Sequence, residues 1–191
     1  MSDSCGDLSA SFTINCSKPL QAGTADNAWV INFDDISAVS YNIANPEIVE
    51  DIVLASGKSA FLIEGKNNSI EPSESLVKAK YSENFDHSVG VIVFQNGPTI
   101  KQQLNKAPKG RFVIITENKY KGASGESAFE VRGLTSGLIV TEITRNPNDA
   151  ETQGAYQVKF TTDELSKEPR LPNSFYVTSY AATKAIIEGL L

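Results

Sequence analysis

The stretch LSASFTI (8–14) puts Leu8, Ala10, Phe12 and Ile14 on one face and Ser9, Ser11 and Thr13 on the other, which predicts a half-buried strand. The same period-two alternation returns in WVINF, with Trp29, Ile31 and Phe33 in phase, and in AYQVKF, with Tyr156, Val158 and Phe160 opposite Gln157 and Lys159. VGVIVF (89–94) and FVIIT (112–116) are continuous apolar runs rich in β-branched residues, the pattern of strands covered on both faces. Between them NGPTIKQQLNKAPKG predicts a helix of about two turns: Pro98 suits its first position, Ile100 and Leu104 are four apart, and Pro108 stops it. DIVLASGKSAFLIEG has the look of a hairpin turning at Ser56, Gly57 and Lys58, although NPEIVEDIVLAS also fits a helix capped by Asn45. At the end of the chain Ser179 can cap a helix over YAATKAIIEGLL, with Ala182, Ala185, Ile186 and Gly189 at helical spacing.

Many short strands, close turn signals and no long helical crossover predict a mainly β protein: an antiparallel β-sandwich or β-barrel with one to three short flanking helices. At 191 residues and 40% hydrophobic, with nine Phe, six Tyr and one Trp, the chain has the means to build one domain over 1–191 around a sizeable core. No sequence repeat or low-complexity tract interrupts it. The longest polar connections are KYKGASGES, which leads into the strand AFEVR, and RNPNDAETQG (145–154).

Charge changes the picture in one respect. With 17 basic and 23 acidic residues and no basic run, the chain lacks a grip for nucleic acid, whereas an acidic surface lets DNA pass without sticking. No stretch approaches the apolar length of a membrane span, and the first residues lack the form of a secretory signal, which points to a soluble protein. An extended segment between Cys5 and Cys16 holds them roughly 36 Å apart at about 3.3 Å per residue, so two free thiols are expected.

The chemical motifs are incomplete. Gly122-Ala123-Ser124-Gly125-Glu126 lacks the second glycine of a nucleophile elbow, and the one histidine, His87, falls in the polar stretch SENFDHS, where a surface or turn position is expected. Gly57-Lys58-Ser59 has Ile52 where a phosphate loop needs its first glycine. Two cysteines and one histidine do not make a zinc site, and adjacent Asp34 and Asp35 fit the solvated end of a strand. No residue is nominated as catalytic, cofactor-binding or metal-ligating. The loops are read instead as a subunit contact: Lys119, Tyr120, Lys121, Gly122, Ser124, Gly125 and Glu126 in the first, Asn148, Asp149 and Glu151 in the second, with glycines giving adaptability.

GESAFEVRGLTSGLIVTEITRN, GAYQVKFTTDELSKEPRLPNSFY and TSYAATKAIIEGLL together resemble the C-terminal half of structural proteins of tailed bacteriophages, nearest the tail tube class of phages of Bacteroidetes hosts. The resemblance covers roughly residues 88 to 191. It implies a β-sandwich or barrel flanked by a helix, six copies closing into a ring, and rings stacked into a tube that conducts DNA. The implied partners are other copies, further tail or connector proteins, and DNA passing without specific binding. The implied place is the virion tail, assembled in the host cytoplasm. The chain departs from that family in showing no evident long hairpin arm between rings.

Overall fold

The computed structural model describes residues 10–13, 16 and 19–191. The fold is mainly β. Its strands are β1 (Thr24–Asn32), β2 (Ile36–Tyr41), β3 (Ile48–Leu54), β4 (Phe61–Glu64), β5 (Ile70–Lys78), β6 (Glu83–Val93), β7 (Phe112–Asn118), β8 (Phe129–Arg132), β9 (Leu138–Arg145), β10 (Tyr156–Thr162) and β11 (Asn173–Phe175). Two short helices, α1 (Pro98–Lys106) and α2 (Tyr180–Glu188), complete it. The strands hydrogen-bond in the order β2-β3-β11-β8-β7-β9-β10-β6-β5, with β1 joining β4 to β7 off that path. Every pairing is antiparallel except β11 with β3.

Strands β1 and β7 form a wall between two cores. Because side chains alternate across a strand, Trp29, Ile31, Val113 and Ile115 point one way, meeting Val49, Ile52, Phe129, Val131, Phe175 and Ile187. Ala28, Val30 and Ile114 point the other way, meeting Ile70, Val89, Val91, Leu138, Val158 and Phe160. FVIIT is therefore covered on both faces, as its unbroken apolar run predicts, and Trp29, Ile31 and Phe33 do share a face. The alternation in AYQVKF also holds: Val158 and Phe160 are buried, with Gln157 and Lys159 outside. Each such Val, Ile or Phe side chain is worth about 1.5–3 kcal/mol when taken fully out of water.

Other expectations need correction. The strand expected at 8–14 has Leu8 and Ile14 outside the described residues, and Ala10 to Thr13 form no strand, with Phe12 88% exposed. Cys5 likewise lies outside the described residues, while Cys16 is free and exposed. VGVIVF is buried on one face only, through Val89 and Val91, because β6 lies in an outer layer and Gly90 faces outward beside Glu71. DIVLAS is strand β3 and not a helix, yet it does not form a hairpin with the next strand: β3 pairs β2 and β11, and β4 crosses to pair β1. Both strands find partners of their own, so the turn at Ser56 to Lys58 changes layers.

Helix α1 starts at Pro98 as expected, passes into a short 3-10 turn at Ala107–Lys109, and packs Leu104 on the second core. Ser179 caps α2 by accepting a hydrogen bond from Ala182 N at 3.2 Å. The buried stripe of α2 is Thr183 and Ile187, flanked by Tyr180, Ile186 and Leu190, and not the Ala182–Ala185–Gly189 line. Thr183 tolerates burial because its hydroxyl donates to Ser179 O at 2.9 Å and accepts from Val177 N at 3.1 Å.

A long hairpin that the sequence hides is the final difference. Strands β5 and β6 pair without interruption from Ile70↔Val91 to Lys78↔Glu83, and the outer half of the hairpin projects past the other strands. Beyond Thr161↔Ser88, β6 has no further partner in β10, and its base is braced by the Phe85↔Glu168 bridge, by Thr162 and Lys167 on Asp86, and by Arg170 and Gly133 on His87. EPSESLVK lacks a clean alternation because most of it is solvated on both faces, whereas ENFDHS is half-buried and hides His87 under a polar pattern, and Pro72 is accommodated because β5 is an edge strand.

Candidate functional site

Loop 119–127 is built around its own carboxylate. Glu126 accepts hydrogen bonds from Ala123 N at 2.8 Å and Ser124 N at 2.6 Å, while Ser127 N closes the loop on Lys121 O at 3.2 Å. Gly122 (φ 75°) and Gly125 (φ 101°) sit in the left-handed region. A Cβ on Gly125 would lie 2.6 Å from Tyr180 N, because the loop is pressed onto the start of α2, where Tyr180 N donates to Ser124 O at 3.2 Å.

Beneath the loop lies an ionic cluster. The Tyr180 hydroxyl donates to Glu117 Oε1 at 2.6 Å, Lys121 Nζ stands 3.2 Å from the same carboxylate, and Lys184 Nζ is 3.6 Å from Oε2. Lys121 also caps the Tyr180 ring at 3.5 Å, and that ring stacks on Phe129 at 5.5 Å. Burial opposes the charge on Lys121, but hydrogen bonds with Tyr180 and Glu117 outweigh it and hold its pKa above the ordinary lysine value. Lys184 is raised too, chiefly by its bond to Tyr180. Glu117 is 4% exposed and satisfied by two cations and a phenol, so the cluster pins loop to helix.

The second loop is also self-bonded. Asp149 accepts from Thr152 Oγ1 at 2.7 Å and from Glu151 N at 3.0 Å, and the bond from Thr152 is the main reason its pKa lies below the usual carboxylate value. The two loops flank one turn, residues 65–69: Lys66 reaches Gln153 at 2.8 Å and Asn68 accepts from Lys119. Lys119 and the 146–155 loop are thus brought to one end of the molecule. Lys121, Gly122, Gly125 and Glu126 turn instead toward α2 or into their own loop, so the adaptability expected of the glycines is replaced by fixed packing. Asn148 and Ser124 are exposed.

Among the described residues no base stands beside Ser124. His87 is at the opposite end of β8, and the expected surface or turn position is wrong: it lies on β6 and is 2% exposed. Its Nε2–H donates to Arg170 O at 2.9 Å and its Nδ1 accepts from Gly133 N at 3.4 Å, which fixes a neutral tautomer. Burial lowers its pKa, against the pull of the nearby Glu168 carboxylate. Glu168 is itself 3% exposed and occupied by the N–H groups of Thr135 and Ser136. Asp34 pairs with Arg111 at 3.0 Å and Asp35 with Lys58 at 2.9 Å, so the two adjacent carboxylates serve different partners. Among the described residues no group of three or more His, Cys, Asp or Glu side chains is arranged to hold a metal ion.

One concave site escaped sequence reasoning. A groove of about 830 Å³ opens beside the start of β5 and is lined by Glu71, Glu74, Asn118, Tyr120, Glu130 and Arg132 among others. Arg132, 2% exposed, donates to Thr116 Oγ1 at 2.9 Å, to Glu130 at 2.6 Å and to Glu74 at 3.1 Å, while its buried Nε has no partner among the described residues. The available signal was the pair Glu130 and Arg132, in phase on a strand whose other face, Phe129 and Val131, is core.

The chain matches no family model, no curated protein and no solved structure.

Proposed function

We propose that this chain is a structural, self-assembling virion protein, a tail tube subunit whose hexameric rings stack into a conduit for DNA. The observation that carries the reading is the projecting β5–β6 hairpin, whose outer half leaves Leu76 52% and Tyr81 88% exposed. Large apolar side chains held on a stiff arm away from either core gain nothing in a monomer and fit a contact with another copy. Among the described residues the outer edges of β5 and β2 pair with no further strand, which adds backbone groups able to pair across subunits. The resemblance of residues 88 to 191 to tail tube proteins supplies the ring and the tube, and the net charge of −6 suits a channel that DNA slides through. No catalytic role is assigned: among the described residues Ser124 lacks a base, and the polar loops are tied by internal bonds. Their exposed residues, Lys119, Ser124, Asn148 and Glu151, belong to the proposed contact surface.

Electron microscopy of the purified chain tests this. Stacked rings of sixfold symmetry are expected. Isolated twelvefold rings would reassign the chain to the head-to-tail connector, and a monomer at high concentration by light scattering would overturn the assembly reading.

A further inference from the structure

Residues 163–172, between β10 and β11, form a strap over the base of the β5–β6 hairpin. The bonds that hold it there are polar. Glu168 exchanges two backbone hydrogen bonds with Phe85, and its carboxylate accepts from Thr135 N and Ser136 N. Lys167 pairs with Asp86, and His87 Nε2–H donates to Arg170 O at 2.9 Å. Leu165 and Leu171 in the strap are exposed, and among the described residues no member of it belongs to either core. One titratable ring is sealed at its inner side: His87, whose Nδ1 accepts from Gly133 N. Glu168 from the strap and Glu74 from β5 favour a charge on that ring, and Arg132 from β8 opposes one. The neighbouring Asp86 is engaged by Lys167 and Thr162, and the Arg170 guanidinium by Glu47.

We propose that the strap is a latch released by acid: a proton taken up by His87 lets residues 163–172 come off β6 while both cores stay folded. A proton on Nδ1 sets one N–H against another, that of Gly133, and leaves a cation sealed from water with a donor unpaired. Lifting the strap admits water to the ring, and since the strap buries neither of its leucines, little apolar surface is uncovered in doing so. Burial holds the closed-form pKa below the ordinary 6.5, so the open form takes the proton first. The closed form is therefore favoured in full above about pH 6.5, and opening grows as pH falls below it, by up to about tenfold per unit for one proton. Release removes the brace from the base of the hairpin. The inference concerns a single copy and holds whether or not the chain assembles.

Hydrogen exchange of the full chain between pH 7.5 and 5, corrected for the intrinsic effect of pH on exchange, tests this. The amides that close the strap, those of Phe85, Thr135, Ser136 and Glu168, are expected to lose protection by up to about tenfold per pH unit below 6.5. At each pH they should exchange at least about a hundredfold faster than the amides of β1 and β7, the mark of an opening that leaves the cores intact. His87→Gln, able to keep both hydrogen bonds without titrating, should hold the strap's protection constant across the range, with circular dichroism checking its fold. Wild type also decides by itself: His87 is the one histidine of the chain, so its ring resonance is unambiguous and should titrate below pH 6.5 in step with the opening of the strap. Strap amides as protected as those of β7, wild-type protection that ignores pH, a ring that titrates at 6.5 or above, or an unchanged slope in a folded His87→Gln would each overturn the latch.

Discussion

Phe160 and Phe112 meet edge to face in the second core, their centroids 5.5 Å apart. With Phe160 5% exposed, Phe160→Ala is expected to cost about 3–5 kcal/mol in denaturant titration, and a loss near zero would show that this core is not packed as described. His87 gives the second prediction at this scale. Its imidazole is held neutral by burial, with Glu168 and Glu74 favouring the charge and Arg132 opposing it, and its folded pKa lies below the ordinary value of 6.5. The unfolded chain therefore takes up the proton first. The stabilisation is fully present above about pH 6.5 and declines as pH falls below that value, until the folded pKa is passed as well. Denaturant titrations at pH 7.5 and 5 should show this loss in wild type. His87→Gln, whose amide can both donate to Arg170 O and accept from Gly133 N, should lose that part of the slope.

At the scale of elements, loop 119–127 and helix α2 behave as one unit. Gly125→Ala forces a Cβ against the backbone of Tyr180 at a φ of 101°, and is expected to lower stability by about 1–3 kcal/mol in thermal unfolding. Ser124→Ala, on the exposed side of the same loop, should change the midpoint little. If the two variants unfolded alike, the docking of the loop on α2 would be wrong. The same unit shows what glycine spacing leaves unsaid. A run such as KGASGES announces a loop through its need for positive φ, but whether that loop is free or clamped depends on Tyr180, more than fifty positions later in the chain.

For the whole molecule, the two cores and the arm are separable. Replacing residues 76 to 85 by a two-residue turn that joins Ser75 to Asp86 removes no member of either core, so a cooperative unfolding transition should survive, whereas assembly should be lost. Circular dichroism and electron microscopy on the same sample read the two outcomes. Normal assembly of the shortened chain would remove the arm from the contact.

What the sequence by itself determined is the part governed by local periodicity. The alternation in WVINF and AYQVKF, the unbroken apolar run of FVIIT, Pro98 at the start of α1 and Ser179 at the start of α2 each express a nearest-neighbour rule, and each holds in the fold. Tertiary structure alone decided the rest, because it depends on what lies across the strand. The second face of β1 is buried only because the sheet curls over it. His87 is buried only because Gly133 and Arg170, distant in the chain, supply its hydrogen bonds. Strand β4 leaves β3 for β1 because the strand edges available there are set by residues far away in sequence. The groove around Arg132 exists because β5 crosses near β8, and the arm exists because β5 and β6 outrun the strands beside them. Periodicity records which face of an element is wet or dry, and it carries no record of the partner that makes it so.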